Sequence, residues 1–266
     1  MNMELIRRFI RGCLGYRSPA YRLMACLLVQ YQILRCEGCR TAYKLEKIRR
    51  STGPEVEVSL NRLLYPLIIR PGTDDVSAVV NNAIREEYGR FDNDFAPKVI
   101  IDAGAYIGDT SAYFLSKFLT SSVIALEPNQ DSFLLAQKNL MPYGDRVFLL
   151  EAALWNELTT VFFGGAEMGA SIGLQGIEVS TETIASLMTK YRLDFIDLLK
   201  IDIEGAELQV IPSGVGSWLN NIGMILLETH GIEIEESLVN ILTDAGFKCS
   251  RYRNVWYCKN RLYYQC

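Results

Sequence analysis

Four places in the sequence bring acidic side chains to the point where an apolar run gives way to a turn. The first is Asp102-Ala103-Gly104-Ala105-Tyr106-Ile107-Gly108-Asp109-Thr110, which follows the short apolar run Val99-Ile-Ile. Gly104 suits a tight turn and lets a ligand approach the backbone, and Gly108 permits close packing where the next helix starts. The dinucleotide pattern G-x-G-x-x-G places a phosphate on a helix N-terminus. Here Tyr106 stands at the middle glycine, which makes an NAD-dependent oxidoreductase the weaker reading. The second place is Ala125-Leu-Glu127-Pro128-Asn129, where Glu127 ends the following strand. A carboxylate there can accept hydrogen bonds from both hydroxyls of a ribose. Either acid alone reads as an ordinary strand end, but the two in succession within a βαβ unit point to a nucleotide-type cofactor.

The third place is Leu199-Lys200-Ile-Asp202-Ile-Glu204-Gly-Ala-Glu207, and the fourth is Leu226-Leu-Glu228-Thr-His230. Acids at a helix N-terminus favour its dipole, which accounts for Glu204 and Glu207. It accounts less well for Asp202 and Lys200, which close an apolar strand. Open α/β sheets build their sites at the carboxyl ends of strands. His230 is the only histidine in the chain. It titrates near neutrality and suits a proton acceptor, although a lone histidine is often structural.

The elements that must position these residues alternate between strand and helix. The patterns predict strands at 99–102, 122–126, 146–150, 196–201 and 224–228, with helices at 110–119, 131–140, 181–190 and 233–245. Shorter strand-like runs fall at 56–59, 159–163 and 177–180. A helix is expected over 76–88, capped by Asp74 or Asp75. Another is expected over 206–211, stopped by Pro212. Residues 247–251 and 255–259 read as a closing antiparallel pair. This order implies a doubly wound, mostly parallel sheet. Residues 4–50 read as helical, with breaks around Gly12 to Pro19 and near Gly38. The expected organisation is a helical extension over 1–55 and a main domain over 56–266, whose Rossmann-like core begins near 97.

The chain has 266 residues, 49% of them hydrophobic, with 27 Lys and Arg against 31 Asp and Glu. A net charge of -4 lacks the basic footprint of a nucleic-acid binder. Arg7, Arg8, Arg11, Arg17 and Arg22 form a local basic cluster, read as a solvated helix face. Seven cysteines, an odd number at irregular spacing, argue against a disulfide framework and for free thiols. Cys36-x-x-Cys39 lacks a second ligand pair for zinc. Residues 20–34 are apolar but too short to span a bilayer, which takes about 20 residues. A helix packed on the main domain is expected there, in a cytoplasmic protein. Peripheral membrane contact through residues 1–34 is the alternative.

The segments IDAGAYIGDTS, ALEPN, EAAL, LLKIDIEGAE and LLETHG, in this order and spacing, resemble the FkbM family of S-adenosylmethionine (SAM)-dependent O-methyltransferases. LIIRPGTDDV and EEY resemble that family's entry segment. The resemblance covers about residues 60 to 250. It implies a class I methyltransferase fold, an α/β Rossmann-like doubly wound sheet of seven strands with the last antiparallel, and SAM as cofactor. Asp102 and Gly104 would then hold the methionine end, with Ala105, Tyr106, Gly108, Asp109 and Thr110 in the same turn. Glu127, with Pro128 and Asn129, would hold the ribose, and Ala152 and Ala153 would lie near the adenine. Asp202, Glu204 and His230 would face the methyl acceptor, a hydroxyl of a sugar, glycan or small molecule. Arg70, Thr73 and Asp75 would pack against the pocket, and Tyr106 stands where the family more often has Asn. His230 is the first choice of base, with Asp202 or Glu204 second. A resident metal is not expected, with a divalent ion bridging Asp202 and Glu228 as the minor alternative. Other readings are a membrane-associated enzyme acting on lipid-linked glycans and a non-catalytic SAM or nucleotide-binding module.

Overall fold

The computed structural model describes residues 19–164, 171–173, 176–230 and 232–263. The expected break around Gly12 to Pro19, and Arg7, Arg8, Arg11 and Arg17, therefore lie outside the described residues.

A seven-stranded sheet forms the centre. Its strands are β3 (Val99–Ala103), β4 (Ser122–Leu126), β5 (Val147–Leu150), β10 (Ile196–Ile201), β11 (Ile222–Glu228), β12 (Phe247–Tyr252) and β13 (Val255–Asn260). Their order is β12-β13-β11-β10-β3-β4-β5. The pairs β11/β10, β10/β3, β3/β4 and β4/β5 are parallel, and β13 runs antiparallel to both of its neighbours. Alternate side chains of each strand enter different cores. Ile100, Val123, Leu198 and Leu226 join one, and Ile101, Ile124, Leu199 and Leu227 join the other. Both faces are thus covered, which explains why these strands read as continuous apolar runs.

Helices α3 (Asp109–Lys117) and α4 (Gln130–Leu140) lie over the first face. The other carries α5 (Ile184–Tyr191), α6 (Glu207–Ser213) and α7 (Ile232–Asp244). Thr183 caps α5 in a reciprocal box with Ser186. Pro212 sits inside the last turn of α6 rather than stopping it. A proline past the first turn lacks the N–H for the next bond and crowds the carbonyl four residues back, and the helix ends one residue later at Ser213.

Helix α1 (Pro19–Arg49) contains the expected break at Gly38, with φ 80° and ψ 172°. Its residues Ile33, Leu45 and Ile48 are buried in the first core with Leu67 and Ile69 of the hairpin formed by β1 (Val56–Val58) and β2 (Leu67–Ile69). The helix expected over 76–88 is shorter. α2 (Asp75–Val79) passes into a π turn at Val80–Ile84, and Asp74 makes no side-chain cap. Asp75 is instead committed to Arg70, described below. Four further strands make a small separate sheet in the order β6-β9-β7-β8: β6 (Ala153–Leu154), β7 (Thr160–Gly164), β8 (Ser171–Gly173) and β9 (Ile177–Glu182).

The expectation of free thiols fails for one pair. The β12/β13 register sets Cys249 opposite Cys258, and the two form a disulfide. Cross-strand register, which spacing alone does not show, decides this. Cys26, Cys36 and Cys39 are free. No helix among the described residues is long and apolar enough to cross a membrane.

Candidate functional site

From β3 the chain goes on to β4 on one side, while β10 lies on the other, so the strand order reverses between β3 and β10. Ligands of open α/β sheets bind outside the strand ends at such a point. A cleft opens there, lined in part by Gly104, Ala105, Tyr106, Glu127, Ala152 and Asp202. Ala78 reaches it from α2, Asn82 from the π turn that follows, and Leu154 and Phe163 from the small sheet. The turns after the two strands are both held in left-handed backbone, with φ of 81° at Gly104, 50° at Tyr106 and 52° at Glu204. Such strain persists in non-glycine residues only where surrounding contacts enforce it, and it clusters at functional sites. Gly104 is required for packing as well, since a Cβ there would lie 1.9 Å from the Asp202 carbonyl oxygen.

Glu127 is buried at the end of β4, lining the cleft. The backbone N–H of Tyr106 donates to its Oε2 at 2.7 Å, and that of Asn129 to its Oε1 at 2.8 Å. Each oxygen keeps a second lone pair for a ligand hydroxyl. Burial pushes this carboxyl up to about 7, against the two backbone donors. Tyr106 is itself fixed from upstream. Its hydroxyl donates to Asp75 Oδ1 at 2.7 Å, and Arg70 grips the same carboxylate through Nε and Nη2 at 3.0 and 2.8 Å. Thr73 Oγ1 donates to the Arg70 carbonyl at 3.0 Å. Burial opposes ionisation of Asp75, but Arg70 and Tyr106 outweigh it and hold the carboxyl below its ordinary range. The entry segment therefore sets one wall of the cleft.

Other residues expected at the cleft take different positions. Asp102 is buried beneath it, accepting from Ser111 Oγ at 2.6 Å and lying 3.2 Å from Lys200 Nζ. Its influence reaches the cleft through Lys200, which lines it and donates to the Gly104 carbonyl at 2.6 Å. Gly108 packs against Leu140, whose Cγ would lie 2.9 Å from an added Cβ. Asn129 turns its side chain to cap α4, accepting from Ser132 N at 3.0 Å. Asp109, Thr110, Pro128 and Ala153 do line the cleft. Burial raises the Asp109 carboxyl to about 6 despite the hydrogen bond from Asn82 Nδ2 at 2.8 Å.

His230 meets three carboxylates. Its Nδ1 is 3.0 Å from Glu207 Oε1, and its Nε2 is 3.2 Å from Glu204 Oε2 and 3.8 Å from Asp202 Oδ1. The hydrogen bond to Glu207, aided by Glu204 and Asp202 against burial, raises the imidazole to about 9. At neutral pH such a ring favours its protonated form, in which it balances the charge of its neighbours. Asp202, Glu204 and His230 also offer atoms within 4.8 Å of one another, a spacing a cation could share. A side chain of the protein itself stands between Asp202 and Glu228, where a bridging ion was the minor alternative. The buried Tyr88 hydroxyl lies there, 3.1 Å from Asp202 Oδ2 and 2.9 Å from Glu228 Oε2. Burial and the nearby Asp202 charge raise Glu228 to about 7. Of these acids, Asp202 and Glu204 line the cleft. Burial also raises Glu204, against the opposing charge of His230.

Asn82 and Phe163 carried no signal in the sequence, and Tyr88 and Lys200 entered only as members of a motif. Only Lys200 announced itself, as a cation inside an apolar strand. Tyr88 is the tyrosine of the EEY segment, but nothing in that segment tells that it reaches two strand ends.

Residues 102–249 match the family described as the methyltransferase FkbM domain, over half of the chain. No curated protein matches. Among solved structures, the chain is similar to methyltransferase FkbM from Methylobacillus flagellatus KT, at 17% identity and a TM-score of 0.48. That match covers 82% of this chain and 59% of the other. It is also similar to precorrin-6y C5,15-methyltransferase from Geobacter metallireducens GS-15, at 17% identity, 61% and 78% coverage and a TM-score of 0.39. A putative rRNA-methylase from Clostridium thermocellum shares 13% identity over 62% of this chain and 88% of the other, with a TM-score of 0.41.

Proposed function

The chain belongs to the FkbM methyltransferase family, and we propose that it transfers the methyl group of SAM to a hydroxyl of a sugar, glycan or other polyol-like acceptor. The observation that carries this is the pairing, across one cleft, of buried Glu127 with the acid-lined turn of Asp202 and Glu204. The residues fit the cofactor. Glu127 has free lone pairs for both ribose hydroxyls. Ala152, Ala153, Leu154 and Phe163 offer an apolar wall for the adenine. The backbone of Gly104 and Tyr106, with the carboxylate of Asp202, suits a cationic methionine end. SAM supplies an electrophilic methyl group on a sulfonium, so the protein's tasks are orientation and removal of a proton.

Glu204 is the proton acceptor in this reading. It lines the cleft, and burial raises its carboxyl toward the range in which a base works at neutral pH. Protonated His230 holds Glu204 in place, and Asp202 orients the acceptor by accepting from a second hydroxyl. A mouth rich in carboxylates suits an acceptor rich in hydroxyl donors. It repels a phosphate backbone, which favours this reading over RNA methylation.

The test is incubation with methyl-labelled SAM and a panel of monosaccharides, oligosaccharides and RNA. The expected product is a sugar O-methyl ether identified by fragmentation. Label recovered on RNA nitrogen, with none on any hydroxyl acceptor, would overturn the proposal.

A further inference from the structure

Helix α1 is apolar on two opposite sides. Ile33, with Val29 and Cys36 beside it, packs into the core. On the other side Leu23, Met24, Leu27, Tyr31 and Leu34 are exposed, at 37% to 64% of their surface. At 100° per residue these five fall within an arc of about 100°, along roughly 17 Å of helix. A helix of a soluble domain ordinarily turns charge to water on that side. Contiguous exposed apolar surface of this kind marks an interaction site.

Charge identifies what covers it. The first 50 residues carry 11 Lys and Arg against 3 Glu, net +8, while the remaining 216 carry 16 against 28, net -12. Arg22 and Arg35, at the two ends of the exposed stripe, are themselves exposed, and no acidic residue lies between positions 19 and 36. A second copy would bring like charge against like charge. An anionic lipid surface complements both properties, with the apolar side entering the headgroup boundary and the arginines meeting lipid phosphates. The acidic body is repelled by the same surface, which keeps α1 the point of contact.

We infer that the outward face of α1 docks on an anionic membrane surface, lying in its plane. The inference does not depend on the proposed reaction.

The test is flotation of the full chain with vesicles of phosphatidylcholine alone, or of phosphatidylcholine with an equal part of phosphatidylserine. Binding is expected to the anionic vesicles only, weakened by salt. Leu27→Glu with Leu34→Glu is expected to lower it at least about tenfold, since each removes a buried leucine from the interface. Both positions are exposed, so circular dichroism should match the parent. No binding to anionic vesicles, equal binding to neutral ones, or unchanged binding by the variant would overturn the inference. So would concentration-dependent self-association abolished by the same substitutions.

Discussion

Lys200→Met is expected to lower the unfolding free energy by about 3–5 kcal/mol, the cost of removing one partner of a buried ion pair. Lys200 is buried in β10 directly beside Asp102 of β3. Its Nζ lies 3.2 Å from Asp102 Oδ1 and 3.5 Å from Asp202 Oδ2, and donates to the carbonyls of Gly104 and Ala103 at 2.6 and 3.3 Å. Burial disfavours the ammonium, but the two aspartates outweigh it and hold Lys200 charged above its ordinary range. Methionine fills similar space and carries no charge, so a fully buried Asp102 is left unpaired. Urea unfolding reads the effect. Adding Asp102→Asn to the same chain should recover a substantial part of the loss, because the orphaned charge goes with it. An unchanged midpoint in the single variant would show that Lys200 is not the strut of the two turns.

Glu204→Gln is expected to reduce turnover about 10²–10⁴-fold, the usual contribution of a positioned base. SAM affinity should change little. Glutamine keeps the shape and cannot take the proton. His230→Asn should cost less, since the imidazolium positions Glu204 rather than accepting a proton itself. The pH profile follows from the shifts. Glu204 works ionised, and burial raises its carboxyl, so the rate rises with pH through a value above the ordinary glutamate range. His230 works protonated, so the rate falls as pH passes about 9. An active Glu204→Gln beside a dead His230→Asn with intact SAM binding would return the proton to the histidine.

The framework was legible because it is periodic. β10 and the acid after it are apolar residues followed by polar ones, and such a pattern in a βαβ series has few alternatives. The convergence of side chains was less legible. The pattern placed His230 at a strand end but did not reveal that Glu207, on another element, takes its Nδ1. Asp102 reads as a cleft residue, yet Lys200 on the neighbouring strand draws it beneath the turn. Asn129 carried a local signal, an Asx residue ahead of a helix with Ser132 three residues on, the pattern of the cap its side chain makes. Phe163 arrives from an insertion whose strands pair with each other outside the main sheet, which no strand pattern discloses.

The most direct test of the account is calorimetric titration with SAM at pH 7 in two buffers of different ionisation enthalpy. Ribose hydroxyls donating to Glu127 would favour its charged form, so a carboxyl poised at about 7 should give up protons as the cofactor binds. The account predicts saturable binding with proton release. In Glu127→Ala the release should vanish and affinity should fall about 10²-fold, the loss of two hydrogen bonds to a charged acceptor. No binding of SAM at millimolar concentration by the folded wild-type chain would contradict the assignment of the cleft.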